Sequence, residues 1–339
     1  MHAVSNHARL ILDSAYRESR PERTRRAVTL GVVGLLHVIA LALLALGALD
    51  GSAGAIAIGA AVTAYLAGLR HAADCDHIAG IDNATRKFVG EGRRPTSVGL
   101  AFSLGHSTVV FLLALAIVAG SQLARGVVAD GAPTTFATVG GIVAGSFLIL
   151  IGTFNSVSLF GGSRQQDMLP RTFSGRLMMK PLARVRQPWH IFVLGFLFGL
   201  GFDTATLIGF LVLTAATATS GIGIAGVLAL PVAFAAGMTL ADTANGLVML
   251  RLYANAMSST KRPRFLVFIT AMSVVSALVV GVIVLVGTLH SALGLSDPVT
   301  AAIASVNLEY AGFVLFGLFA AIWATVLIRR QFRPLSERS

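Results

Sequence analysis

GAIAIGAAVTAYLAGLRHAADCDH, residues 54–77, begins with sixteen uncharged residues and ends on Arg70, His71, Asp74, Asp76 and His77. An apolar run of this kind suits a helix that crosses hydrocarbon, where about 20 residues span the bilayer. The ionisable end is the unusual part, because a charged side chain inside a membrane span costs at least about 2.5 kcal/mol. The same alternation of long apolar run and short charged stretch continues through all 339 residues, of which 55% are hydrophobic and 12% charged. Soluble domains carry about a quarter charged residues, so the chain reads as an all-α integral membrane protein.

Apolar runs between breakers predict eight transmembrane helices, near residues 28–49, 54–76, 98–120, 136–160, 190–214, 221–250, 265–290 and 299–328. Charge orients them. Of the 26 Lys and Arg, 24 lie in 1–27, 78–97, 161–189, 251–264 and 329–339, whereas 50–53, 121–135, 215–220 and 291–298 hold only Arg125. Basic connections stay on the cytoplasmic side during insertion, so both termini are expected in the cytoplasm, with the chain in the bacterial inner membrane and the lipid bilayer as a partner. The long basic connection 161–189 separates two four-helix halves, 28–160 and 190–328, flanked by tails 1–27 and 329–339. Residues 1–27 carry six Arg and no apolar h-region, so they read as a cytoplasmic tail, with the first span serving as an uncleaved insertion signal.

Other classes fall away. The net charge of +11 sits between apolar runs and not on a folded surface, which argues against nucleic acid as a partner. Cys75 is the single cysteine, so this chain alone builds no disulfide, Cys-based zinc cage or iron–sulfur cluster. A β-barrel would show strands alternating over about 10 residues.

The ionisable residues inside the spans point to function. On a continuous helix, His71, Asp74 and His77 fall within an arc of roughly 120° and Asp76 lies to one side. Imidazole nitrogen and carboxylate oxygen suit divalent ions such as nickel, cobalt, copper and zinc. The bland alternative is a polar helix end held by its own ion pairs, Arg70 with Asp74 for instance. At 1.5 Å per residue His37 and His106 lie roughly 12–14 Å from the cytoplasmic face, Asp242 in the inner half of the bilayer and Asp203 nearer the midplane, so five spans contribute to one layer. Gly105, Gly199, Gly201 and Gly237 suit close helix packing or local unwinding. Asn155, Asn307 and Glu309 are further polar residues in spans, Glu309 either a neutral carboxyl or part of a proton path.

Arg70-His71-Ala72-Ala73-Asp74-Cys75-Asp76-His77-Ile78 followed by Ile81-Asp82-Asn83-Ala84-Thr85-Arg86-Lys87 resembles the second-helix signature of the nickel/cobalt transporter (NiCoT) family. Residues 102–110 (FSLGHSTVV) are similar to its third-helix motif, 200–206 (LGFDTAT) to its fifth and 237–243 (GMTLADT) to its sixth. The resemblance implies an eight-helix secondary transporter that imports Ni²⁺ or Co²⁺ with high affinity. It makes His71, Asp74, Asp76 and His77 central to ion recognition, with His37, His106, Asp203 and Asp242 in support and His37 associated with metal preference. Three residues depart from the pattern: Leu207 replaces a usual Glu, Asn245 stands where the sixth motif ends in Asp-Gly, and Cys75 replaces a usual Ala. Two carboxylates are thereby missing. Cys75 is either a softer ligand, favouring zinc or copper, or a small thiol in an alanine site.

The expected function is secondary import, with the metal ion as transported substrate and no catalytic cofactor. A negative-inside potential supplies about 4.6 kcal/mol per 100 mV to a divalent ion, and no Walker-type motif is present. The rivals are nickel or cobalt efflux and an intramembrane metal-dependent hydrolase. The long connection lacks the His-rich composition of exporters, and the hydrolase reading has no specificity element of its own.

Overall fold

A chain in hydrocarbon must satisfy its backbone polar groups within itself, and the fold is helical accordingly. The computed structural model describes residues 19–48, 54–118, 134–160, 187–200, 210, 213–218, 222–257, 264–306 and 317. No strand occurs among them. The principal helices are α1 (Glu22–Ala48), α2 (Gly54–His71), α3 (Cys75–Gly90), α4 (Val98–Val118), α5 (Thr134–Phe160), α6 (Pro188–Gly199), α7 (Ile224–Met257), α8 (Arg264–Leu293) and α9 (Pro298–Ala304).

Their local origins are visible. Apolar runs without breakers give α1, α4, α7 and α8. At the start of α9, Pro298 occupies the first turn and Asp297 caps it, accepting the N–H of Val299 at 3.1 Å and of Thr300 at 2.9 Å.

Helix α7 is the post around which the others assemble, packing against α1, α2, α3 and α4. Over its apolar window 72% of the residues are buried inside the protein, against 11% for α1, whose Leu35, Val38 and Leu41 face outward as lipid-facing side chains would. Helix α4 packs on α6, and α5 on α8. Small residues allow the close approaches: a Cβ on Gly68 of α2 would strike the Phe234 carbonyl of α7, and one on Gly237 of α7 would strike the Tyr65 carbonyl of α2. Two apolar clusters fill the interior. One joins Ile78, Ile81 and Phe88 of α3 to Phe102, Phe198, Met249 and Leu250, and the other joins Ala60, Ala64, Val110, Leu230 and Phe234.

Against the eight expected spans, four helices among the described residues are long and apolar enough to cross a membrane: 22–48, 98–116, 224–254 and 274–293. The pair 55–71 and 76–90, bent by 54° at the break between them, is either one broken span, which makes a fifth, or a re-entrant loop. The expected continuous span 54–76 is therefore corrected: the helix stops at His71, and Ala72–Asp74 form a turn. The expected connection 78–97 is corrected too, because most of it is the buried helix α3. Arg86 and Lys87 suggested solvent there, yet the neighbouring helices bury both. The N-terminal tail up to residue 18, Arg125, residues 161–186 of the basic connection, most of the expected eighth span and the C-terminal tail lie outside the described residues.

Candidate metal centre

The break between α2 and α3 assembles the site. His71 is the last residue of α2, and the chain turns through backbone hydrogen bonds from Ala73 N to Arg70 O (2.9 Å) and from Asp74 N to His71 O (3.0 Å). Asp74 then occupies the N-cap position of α3 but makes no capping hydrogen bond with its side chain. Its carboxylate turns back to His71 instead, accepting from Nδ1 at 2.8 Å. Asp76 Oδ1 accepts the backbone N–H of His77 at 3.0 Å, so this carboxylate serves the first turn of α3. His77 projects from that turn towards α4 and α7.

Three imidazoles meet there. The ring centroids of His71 and His77 are 4.8 Å apart, those of His71 and His106 4.8 Å, and those of His77 and His106 4.7 Å. One ligand nitrogen from each lies within 4.8 Å of the others, and all three side chains are buried. Two carboxylates back them: Asp74 behind His71, and Asp242 of α7, whose Oδ2 lies 3.2 Å from His77 Nδ1. Phe102 and Phe234 form apolar walls beside the rings.

The hydrogen bonds determine the tautomers. A carboxylate beside Nδ1 places the proton there, so the Nε2 lone pairs of His71 and His77 are exposed to the centre. His71 Nε2 lies 3.0 Å from His106 Nε2, a contact that needs the proton on His106. His106 Nδ1 and His77 Nε2 are then bare, buried and without a hydrogen-bond partner. Buried polar atoms are nearly always paired, so two buried lone pairs without a partner call for an electrophile. Carboxylate-backed imidazoles with free nitrogens are the arrangement that binds transition metals.

The sequence-predicted residues divide. His71, Asp74, His77, His106 and Asp242 come together, although the expected route through one continuous helical face is replaced by a turn. Asp76 stands beside the centre and outside the trio. His37 of α1 is elsewhere, its Nδ1 2.8 Å from the Val33 carbonyl and its Nε2 3.2 Å from the Tyr65 hydroxyl. Asp203, Gly201, Leu207, Asn307 and Glu309 lie outside the described residues, as do the side chains of Cys75 and Asn155. Asn245 is half-buried on α7 with its Nδ2 unpartnered. Gly105, Gly199 and Gly237 sit at tight contacts with neighbouring helices, the packing role.

Asp82 stands in the second-helix motif without a role of its own, and nothing in the sequence singles out Tyr253. Tyr253 of α7 donates to Asp82 Oδ1 of α3 at 2.6 Å, and both are fully buried. A carboxylate five residues beyond His77 was the available signal, obscured by the reading of 78–97 as a connection.

The comparisons agree with this chemistry. The family described as high-affinity nickel-transport protein matches residues 57–329. The nickel transporter NicT of Mycobacterium tuberculosis is 40% identical, with 92% of this chain and 88% of the relative covered. The nickel transporter NixA of Staphylococcus aureus is 37% identical over 87% of this chain and 90% of its own length. The cobalt transport protein NhlF of Rhodococcus rhodochrous is 35% identical over 93% and 95%. No solved structure matches.

Proposed function

Because the chain belongs to the high-affinity nickel-transport protein family, we propose that it imports Ni²⁺ or Co²⁺ across the inner membrane by way of the His71–His77–His106 centre. The family is one of transporters and not of enzymes, which sets the hydrolase reading aside. Eight spans with both termini in the cytoplasm complete the reading, supported by the distribution of basic residues.

The observation that carries the proposal is the convergence of three buried imidazoles, two of them held by carboxylates, with lone pairs left bare. Nitrogen donors favour nickel and cobalt over magnesium or calcium. Asp74 and Asp242 fix the two imidazoles and offset the charge of a divalent ion in a medium where an uncompensated charge is costly. An arriving ion exchanges water for imidazole nitrogen and displaces the His71–His106 hydrogen bond. The inward field supplies about 4.6 kcal/mol per 100 mV for two charges. Because ligation requires deprotonated donors, acidification opposes binding and binding releases any protons the centre holds.

The test is accumulation of ⁶³Ni and ⁵⁷Co by cells expressing the wild type or His106→Ala. Import raises cellular label in the wild type, and the variant returns it to background. Label lowered by the wild type would establish efflux instead, and label unaffected by His106→Ala would remove the centre from the transport path.

A further inference from the structure

On the import reading α3 leads from the three imidazoles towards the cytoplasm, and its apolar side chains are packed against its neighbours. Ile78 and Ile81 of α3 pack with Met249 and Leu250 of α7 and with Phe102 of α4 in one apolar cluster, each of them buried. A hydrated divalent ion does not cross packed hydrocarbon, because its dehydration is uncompensated there. Polar contacts tie α3 to α7 at two levels: His77 to Asp242 at the centre and, further along α3, the Tyr253 hydroxyl donating to Asp82 at 2.6 Å.

Several features make the second of these a device and not mere cement. Asp82 follows His77 by five residues, about 7.5 Å along the helix, so its carboxylate is the next oxygen donor on α3 after the imidazole centre. Arg86 lies beyond it, its guanidinium carbon 5.9 Å from the Tyr253 ring centre and its Nη2 3.4 Å from Asn83 Oδ1. Lys87, also buried, reaches Glu91 at 2.6 Å. A cation leaving the centre therefore meets first a carboxylate engaged by a phenol, then the Arg86 guanidinium and the Lys87–Glu91 pair. Exit requires α3 to move away from α7, and the turn Ala72–Asp74, where the axis bends by 54°, is placed to let it swing.

We propose that Asp82 and Tyr253 form the inner gate of the transport path, and that a metal ion descending from the imidazole centre opens it by taking the Asp82 carboxylate from the Tyr253 hydroxyl. The inference rests on the import reading above. Before the ion arrives, the hydrogen bond holds α3 against α7 and keeps the centre closed to the cytoplasm. Once the carboxylate turns to the ion, α3 is released and its Arg86 and Lys87 move out of the way.

Ile81→Cys, made in a Cys75→Ala background shared by all the proteins compared, serves as the reporter, because Ile81 is fully buried in the cluster between α3 and α7. Its rate of reaction with a membrane-impermeant maleimide is measured in inside-out and right-side-out vesicles, alongside equilibrium Ni²⁺ binding to purified full-length protein. Tyr253→Phe removes the donor and Asp82→Ala the acceptor, whereas Asp82→Asn keeps an oxygen that accepts from the phenol. With one hydrogen bond lost, labelling from the inner side should rise about fivefold in Tyr253→Phe and Asp82→Ala, stay at the wild-type rate in Asp82→Asn, and be unchanged from the outer side. Equilibrium Ni²⁺ binding by Tyr253→Phe should match the wild type. Equal inner-side labelling in all four proteins, no labelling included, overturns the gate, as does a rise from both sides alike. Loss of Ni²⁺ binding in Tyr253→Phe overturns it as well, by placing the phenol in the centre itself. Wild-type protein that binds no Ni²⁺ would instead sink the import reading.

Discussion

His37 and His106 are both histidines in apolar helices, and their surroundings set them apart. His37 is half-buried and both its nitrogens are engaged, one by the Val33 carbonyl and one by the Tyr65 hydroxyl. His106 is fully buried, touches two other imidazoles and keeps Nδ1 without a partner. A satisfied imidazole contributes to packing, whereas a buried one with a bare lone pair carries an unmet desolvation cost that a ligand relieves. Residue type is the same at the two positions, and the state of the second nitrogen is what separates them.

The strongest attack on this contrast is His77→Ala, which should return nickel uptake to the background of cells lacking the protein and abolish stoichiometric Ni²⁺ binding by the purified chain. Uptake surviving at wild-type rates would mean that the bare nitrogens are incidental. Next in size is Asp242→Asn, which keeps a hydrogen-bond acceptor for His77 but removes the charge; equilibrium dialysis should show affinity for Ni²⁺ lower by about 10–100-fold. On the other side of the contrast, Tyr65→Phe deletes the partner of His37 Nε2. It should cost about 1 kcal/mol in unfolding free energy and leave the Ni²⁺ affinity where it was. A lost affinity would extend the centre to α1.

The smallest effect lies at Asp297, outside the membrane. The Thr300 hydroxyl, followed by the Thr300 and Val299 backbone N–H groups, holds its carboxyl below the ordinary value of 3.8. A folded value below the unfolded one contributes stability that is present above 3.8 and lost as pH falls through the folded value. Asp297→Asn should therefore lower the unfolding temperature slightly at about pH 6, and the difference should shrink as the pH falls below 3.8.

Much of the architecture could be read from residue order. The runs that become α1, α4, α7 and α8 are apolar from end to end, and insertion physics alone predicts them. Helix α3 could not be read so. Asp82, Asn83, Arg86 and Lys87 make it look like a solvated connection, and only the packing of α4, α5, α7 and α8 around it reverses that. The centre shows the same split. His71, Asp74 and His77 were found by spacing, yet spacing assumed a continuous helix, and the turn at Ala72–Asp74 brings them together by another route. Depth selects a layer and not a point: the structure brings His106 and Asp242 beside His71 and His77, while His37 bonds Val33 and Tyr65. Asp76 carries the right chemistry, but its carboxylate is engaged by its neighbour's backbone.

The burial of α3 has a consequence for biogenesis. Asp82, Arg86 and Lys87 are poor substrates for lateral release from a translocon, and Tyr253, which receives Asp82, is synthesised more than 160 residues after Gly90. At bacterial elongation rates that delay is about ten to thirty seconds. Until then α3 has no α7 to shelter it. Its packing against α7 is accordingly a late event, and the Asp242 carboxylate comes to back His77 only then.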